Sequence, residues 1–144
     1  MFDDIDREIL RLLTDDGRMS NTDLGRRVGL SPNAAGARVQ RLREQGVITG
    51  FTAVIDHATL GRPMEASIDI WMQDPSEKQA LYDLAQTDDR IIECFHLTGP
   101  LDFRMRARVA SSDDLNDLLE LCRSEAGVRQ TDSRLILNSS QRSR

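Results

Sequence analysis

A helix stop is followed almost at once by a helix start near residue 30, and this spacing constrains the fold more than any other feature. Gly29 is the kind of residue that ends a helix in the left-handed conformation. Ser31 and Pro32 follow directly and are typical of an N-cap and a first helical turn. Two helices joined by a turn of about three residues form a helix-turn-helix, which the sequence therefore predicts here.

The segments on both sides of this turn have the apolar spacing of amphipathic helices. Residues 4–14 place four apolar side chains on one helical face, and they are Ile5, Ile9, Leu12 and Leu13. Ser20 is predicted to cap a short second helix, with Asp23 completing a capping box. A third helix is predicted from Ser31 to about Glu44, and Gly46 ends it. The third helix would be the recognition helix of the motif.

Charge is distributed unevenly along the 144 residues. The net charge is −5, yet the segment from Arg18 to Arg43 contains six arginines and a single acid, Asp23. Only the local surface meets phosphate, so this excess is compatible with a nucleic-acid partner despite the overall sign. Taken alone, the excess fits a solvated charged face better than a binding surface.

The second half of the chain has a different periodicity. Ala66, Ile68, Ile70 and Met72 alternate with polar residues, as do the apolar residues of 103–109, and such alternation predicts strands. The predicted order is β-α-β-β-α-β over roughly 75 residues, the ferredoxin-like arrangement. Its sheet would carry helices on one face only. A second copy of the chain is the obvious candidate to cover the other face.

These patterns predict an α+β protein with two domains. A winged-type helix-turn-helix domain is expected at residues 1–50, and a linker strand at 51–62. A ferredoxin-like domain, with sensing and oligomerisation roles, is expected at 63–138. Residues 139–144 are predicted to be a polar tail.

Short motifs in both domains resemble one known family. The segments Asp16–Arg18, Val28–Ser31, Gly46–Gly50 and Leu97–Phe103 are similar to those of the leucine-responsive regulator/AsnC family, and the resemblance covers nearly the whole chain. It implies a transcription regulator that binds double-stranded DNA and forms dimers, or octamers built from dimers, through its second domain. It also implies an amino-acid effector near Thr98–Asp102. A dimer would place two recognition helices about one turn of DNA apart, so we expect an inverted-repeat operator.

Candidate DNA contacts fall into two groups. The recognition-helix candidates are Ser31, Asn33, Ala37, Arg38 and Arg41. Asparagine can pair bidentately with adenine and arginine with guanine, and a methyl group can pack on thymine. The phosphate candidates are Arg18, Arg26 and Arg27, unless these arginines serve only solubility. Alternatively, Arg38 and Arg41 contact only phosphate or pair with Glu44. Gly36 would allow a close approach either to DNA or to the second helix.

The candidate effector residues are Thr98, Gly99, Pro100, Leu101, Asp102 and Arg104. This chain departs from the family pattern at Pro100, Leu101 and Arg104, and proline removes a backbone donor that could hold a ligand carboxylate. We hypothesise that Arg104 anchors a ligand carboxylate and that Asp102 receives its ammonium group. The alternative is an ion-pair network between subunits, in which Glu93 takes part.

Other classes of function find little support in the sequence. It contains no glycine-rich phosphate loop, metal cluster or positioned catalytic triad, so we expect neither an enzyme nor a cofactor. His57 and His96 are expected to be structural. Cys94 and Cys122 lack metal-ligand spacing, and no membrane-length apolar run is present, so a cytoplasmic protein with free thiols is expected. An architectural DNA-binding protein without an effector remains an alternative.

Overall fold

Two units that divide between Val54 and Ile55 make up residues 1–138, the part of the chain that the computed structural model describes. The division falls inside the segment 51–62 that was predicted to be a linker. The predicted polar tail of residues 139–144 lies outside the described residues.

The first unit contains three helices, α1 (Asp4–Asp15), α2 (Asn21–Val28) and α3 (Pro32–Glu44). The predicted N-caps are confirmed: Ser20 Oγ accepts a hydrogen bond from Asp23 N at 3.1 Å, and Ser31 Oγ accepts one from Ala34 N at 3.2 Å. The predicted capping box is not formed, because Asp23 Oδ2 accepts from the Ser20 hydroxyl at 2.7 Å and not from the Ser20 amide. Gly29 ends α2 with a φ of 72°. The buried core of this unit joins all three helices and consists of Ile9, Leu12, Leu13, Leu24, Ala35 and Leu42.

Two glycines lie where α2 and α3 approach each other. A Cβ added to Gly25 would lie 2.5 Å from the carbonyl oxygen of Leu30, which is backbone in the turn between the helices. A Cβ added to Gly36 would lie 2.7 Å from Asn21 Nδ2, the end of an exposed side chain. Of the two explanations for Gly36, its close approach to the second helix is therefore confirmed within the chain.

We expect Gly25→Ala to destabilise the first unit by roughly 1–3 kcal/mol, because the backbone of the turn cannot yield without losing its packing. Gly36→Ala is the matched control, since Asn21 can move away and alanine favours a helix over glycine by about 1 kcal/mol. Urea denaturation followed by far-UV circular dichroism measures both changes. Equal losses in the two variants would contradict this account of the turn.

Helices alone build this unit, because no strand occurs in residues 1–54. The hairpin that gives a winged helix its name is therefore absent from this described segment, contrary to the winged form that we expected. The amide groups of Val47 and Ile48 explain the difference, since both donate to the carbonyl of Leu42, at 2.9 and 3.1 Å. They complete the end of α3 and are not available for a strand ladder.

The second unit has the predicted ferredoxin-like order and is α+β. Its strands are β1 (Met64–Met72), β2 (Ile91–His96), β3 (Phe103–Val109) and β4 (Val128–Leu135), and its helices are α4 (Gln79–Thr87) and α5 (Ser112–Glu125). The sheet is antiparallel with the order β2-β3-β1-β4. The fold class predicted for this half is confirmed.

Alternation along the strands separates two faces of this sheet. The apolar residues of β1 and β3, among them Ile68, Ile70, Phe103 and Met105, are fully buried in one core with Leu81 of α4 and Leu118 of α5. The opposite face carries the polar residues of the same strands, and neither α4 nor α5 packs against it. We call it the open face of the sheet.

The predicted linker strand is wrong, because residues 51–62 contain no strand. A strand needs a hydrogen-bonded neighbour, and no strand of the described residues pairs with this segment. Its second half instead forms turns: the Asp56 carboxylate accepts hydrogen bonds from Ala58 N at 3.0 Å and Thr59 Oγ1 at 2.6 Å. None of the helices in residues 1–138 has the length and apolar character needed to cross a membrane.

Candidate DNA-binding surface and effector loop

Two acids from the start of α1 hold the arginines on one side of α3. Arg41 Nη2 donates to both carboxylate oxygens of Asp6, at 2.8 and 2.7 Å. Arg38 Nη1 lies 2.9 Å from Asp6 Oδ1 and 2.6 Å from Asp3 Oδ2. Asp6 is only 1% exposed, and a buried carboxylate needs such partners. We call these four residues the acid clamp.

The acid clamp changes the interpretation of two predicted DNA contacts. Arg38 and Arg41 pair with α1 and not with Glu44, the partner considered from the sequence. The hydrogen bond from Arg38 holds the pKa of Asp3 below its ordinary value, so Asp3 stays ionised opposite the arginine. An arginine held in this way must exchange its carboxylate partner before it can pair with guanine.

A different set of residues forms the solvent-exposed side of α3. Asn33, Ala37, Gln40 and Glu44 follow each other at spacings of four, three and four residues, and all are exposed. We call them the outer face of α3. Gln40 was not among the predicted contacts, although its spacing from Asn33 and Ala37 was visible in the sequence. Ser31 lies at the N-terminus of the helix, where its hydroxyl acts as the cap.

The remaining predicted phosphate contacts cluster around α2. Arg18, Arg26 and Arg27 are exposed and line one groove together with Ser20 and Asp23. Arg26 Nη1 lies 3.1 Å from Asp23 Oδ1, but its side chain keeps 74% exposure. Such an exposed pair contributes little to stability, so these cations can turn toward phosphate at low cost.

The predicted effector loop is fastened to the end of β1. Trp71 Nε1 donates to the carbonyl of Pro100 at 2.7 Å, and Met72 N donates to Asp102 Oδ2 at 2.8 Å. Asp102 N also donates to the carbonyl of Ile70 at 3.0 Å. One oxygen of the Asp102 carboxylate is thus committed to the backbone. Sequence reasoning missed Trp71, whose role depends on a loop about thirty positions away.

The same loop leaves several donors without an acceptor. Within residues 1–138, the amide groups of Thr98, Gly99 and Leu101 donate to no protein oxygen. Thr98, Gly99 and Pro100 are exposed, while Leu101 and Asp102 are half-buried. Gly99 has a φ of 123°, a conformation that favours glycine. The loop therefore presents backbone N–H groups from a fixed position.

Arg104 lies on the open face, directly opposite Asp69 of β1. Its Nε donates to Asp69 Oδ1 at 2.6 Å, and this bond holds the pKa of Asp69 below its ordinary value. The two terminal nitrogens of Arg104 have no protein partner among the described residues. The guanidinium is thus oriented by Asp69 and can still bind an anion through its outer edge.

The other arginines of β3 are paired within the same chain. Arg106 donates to Glu65 and, at 2.7 Å, to Glu93 Oε2, while Arg108 Nη2 lies 2.5 Å from Glu65 Oε2. Glu65 is 5% exposed. An ion-pair network that includes Glu93 is therefore present within the chain, and a network between subunits, the alternative considered from the sequence, stays a prediction.

Other reactive groups do not assemble into a site. No group of three His, Cys, Asp or Glu side chains in residues 1–138 is placed to hold a metal ion. Burial raises the pKa of the Cys122 thiol to about 11, and His96 stacks on Phe103 with ring centroids 4.7 Å apart. Cys122 is buried in the core of the second unit, and His96 packs against a ring of that core.

Comparison with known families gives each half of the chain a counterpart. The AsnC-type helix-turn-helix domain matches residues 2–43, and the Lrp/AsnC ligand binding domain matches residues 68–144. The chain belongs to the Lrp/AsnC family. It is accordingly a DNA-binding transcription regulator of the Lrp/AsnC type, as the sequence motifs predicted.

Individual Lrp/AsnC proteins are similar over nearly their whole length. The HTH-type transcriptional regulator LrpA of Mycobacterium tuberculosis is 36% identical over 137 residues, which cover 95% of this chain and 91% of LrpA. The leucine-responsive regulatory protein of Klebsiella pneumoniae is 33% identical over 144 residues, covering 98% and 88%. These relatives are named as regulators and not as enzymes, in line with our expectation.

The solved structure of one relative contains a bound amino acid. The feast or famine regulatory protein of M. tuberculosis, complexed with L-methionine, is 36% identical and superposes with a TM-score of 0.90. The similarity covers 100% of this chain and 97% of that one.

Proposed function

We propose that this Lrp/AsnC regulator recognises a specific inverted-repeat operator as a dimer, or as an octamer built from dimers. We further propose that an amino acid, bound at residues 98–102 beside Arg104, modulates its DNA binding or assembly. The observation that carries the effector proposal is the set of unpartnered donors at this loop. A relative in complex with L-methionine supports the ligand class.

The chemistry of the loop fits an α-carboxylate. Charge-assisted hydrogen bonds from Arg104 and backbone N–H groups of Thr98, Gly99 and Leu101 would hold its oxygens. Pro100 offers no N–H, so its contribution is the carbonyl that Trp71 already binds. The Asp102 oxygen that is not bonded to Met72 N would receive the ammonium group.

The open face of the sheet is the surface through which two copies of the chain would associate. A sheet with helices on one side exposes its other side, and a second copy of the chain can cover it symmetrically. Phe95 of β2 lies on that face opposite Arg104 and is 45% exposed, which gives the face an apolar contact to bury. Dimerisation would bring two recognition helices together. Each helix would bind one half-site of an operator whose half-sites are centred roughly 34 Å apart.

Binding of the effector can be measured through Trp71, the only tryptophan of the chain. We expect a panel of amino acids to contain at least one that shifts its fluorescence, because Trp71 fastens the loop. Arg104→Ala should weaken that ligand on the order of tenfold or more, the effect of losing a charge-assisted hydrogen bond. Arg134→Ala is the matched control: Arg134 also pairs with Asp69, at 3.2 Å, but lies on β4. Unchanged affinity in Arg104→Ala would exclude Arg104 from the site.

Operator recognition is tested by gel-shift on the upstream region of the protein's own gene, with and without each amino acid. We expect a complex on this DNA that random DNA at matched salt does not give. Equal affinity for both would contradict sequence-specific regulation and favour the architectural alternative. A specific complex that no amino acid alters would contradict the effector proposal alone.

A further inference from the structure

We propose that Asn33 and Gln40 recognise adenine bases in the major groove, with the Ala37 methyl between them against a thymine methyl. This inference rests on the proposed operator recognition and specifies which bases it requires. It places the specificity of the protein on the outer face of α3 and not on the arginines of the acid clamp.

The side-chain chemistry of the outer face selects for adenine. Adenine presents N7 as an acceptor and its N6 amino group as a donor, and a carboxamide supplies the complementary pair. Both Asn33 and Gln40 carry this group and are exposed. Arginine, the usual partner of guanine, is missing from the outer face, since Arg38 and Arg41 bind Asp6 instead.

Glu44 acts as a positioning residue for Gln40. Gln40 Nε2 donates to Glu44 Oε1 at 2.9 Å. A carboxylate only accepts hydrogen bonds, so this contact fixes which end of the amide faces Glu44. The amide nitrogen carries two hydrogens, and the second one remains for adenine N7 while Gln40 Oε1 remains for adenine N6.

Helix geometry sets the distance between the two bases. Asn33 and Gln40 are seven residues apart, which is about 10 Å along an α-helix. Successive bases of one strand rise by about 3.4 Å, so the two adenines should stand roughly three base pairs apart. Ala37 lies midway and would contact an intervening A·T pair through its thymine methyl.

A change of specificity gives the sharpest test. An operator is first selected from random DNA with the full-length chain, and each base pair of a half-site is then exchanged. We expect Gln40→Ala to lose discrimination of about tenfold or more at one A·T pair. Gln40→Glu should move the preference at that pair to C·G, because a carboxylate accepts from the cytosine N4 amino group. Asn33→Ala should act on a second pair about three positions away.

Two further variants separate recognition from charge. Arg43→Ala removes an exposed cation of the same helix and should weaken binding to all DNA sequences equally. Glu44→Ala should strengthen binding to all sequences by removing a negative charge, yet reduce the discrimination at the pair assigned to Gln40. An unchanged discrimination ratio in Glu44→Ala would overturn its positioning role.

The outcomes distinguish this inference from the function on which it rests. A wild-type chain that selects no sequence would overturn both. A wild-type chain with a defined operator, whose Asn33→Ala and Gln40→Ala variants keep every base preference, would overturn only the assignment to these residues. Both positions are exposed, and far-UV circular dichroism identifies any variant that has lost its helices.

Discussion

Asp6→Ala is expected to lower the free energy of unfolding of the first unit by about 3 kcal/mol. Removing one partner of a buried ion pair costs roughly 3–5 kcal/mol, and this value lies at the lower end because Arg41 keeps 47% exposure and can recover hydration. The loss comes from Arg38 and Arg41, which would face each other without the carboxylate between them.

Two variants and two probes make this prediction specific. Asp4→Ala removes an exposed acid from the same helical turn and should cost less than about 1 kcal/mol. Far-UV circular dichroism in urea follows the helices of both units, whereas Trp71 fluorescence follows the second unit alone, so a change confined to the first signal reports the first unit. We expect Asp6→Ala to shift the first signal and to leave the Trp71 transition unchanged. A loss no larger than that of Asp4→Ala would show that the acid clamp does not stabilise α1 against α3.

The substitution Asp6→Asn tests whether the acid clamp also affects DNA binding. Asparagine keeps an acceptor oxygen but removes the charge that holds Arg41, so Arg41 becomes available to phosphate, while Arg38 keeps its contact with Asp3. Each additional phosphate contact steepens the dependence of log K on log salt by about 0.9. Binding to random DNA should therefore strengthen and become more salt-dependent, while the base preferences of the outer face stay the same. Such a result would show that the acid clamp limits non-specific binding.

Local patterns predicted most of the secondary structure. Ser31 and Gly29 mark helix ends through their own backbone and cap geometry, which neighbouring residues do not alter. The alternation of residues 103–109 likewise followed from one buried face, and the structure gives the strand Phe103–Val109. The prediction of a linker strand was wrong because it rested on the strand-like composition of Phe51–Ile55. A strand also needs a hydrogen-bonded neighbour, and composition does not show whether one is present.

Most of the ion-pair partners could not be predicted, because each depends on which elements become neighbours. Asp6 and Arg41 are 35 residues apart and meet only when α1 packs on α3. One clue was present: Asp6 stands three residues before Ile9 and so shares its buried helical face. An acid in an apolar stripe implies a buried cation nearby. The partners of β3 similarly required the register that places Asp69 opposite Arg104.

Glu65→Ala is expected to have the largest effect in the second unit, a loss of roughly 3–5 kcal/mol. Glu65 is 5% exposed and holds both Arg106 and Arg108. Without it, Arg106 keeps only Glu93, and Arg108 has no carboxylate among the described residues. The Nε of Arg108 is already buried without a hydrogen-bond partner. Loss of Glu65 would leave the single charge of this guanidinium unpaired, in addition to the unsatisfied Nε donor.

The measurement is urea denaturation followed by Trp71 fluorescence, at one fixed protein concentration because assembly would also stabilise the unit. Glu93→Ala is the matched control: its carboxylate binds the same Arg106 but is 41% exposed, so its loss should cost less than about 1 kcal/mol. Replacing Glu65, Arg106 and Arg108 together by leucine and methionine should restore most of the lost stability, since apolar substitutes remove the desolvation penalty as well as the attraction. A triple variant as unstable as Glu65→Ala would show that the charges stabilise the sheet directly. Recovery of stability with loss of the dimer would instead assign them to selecting which copy of the chain covers the open face.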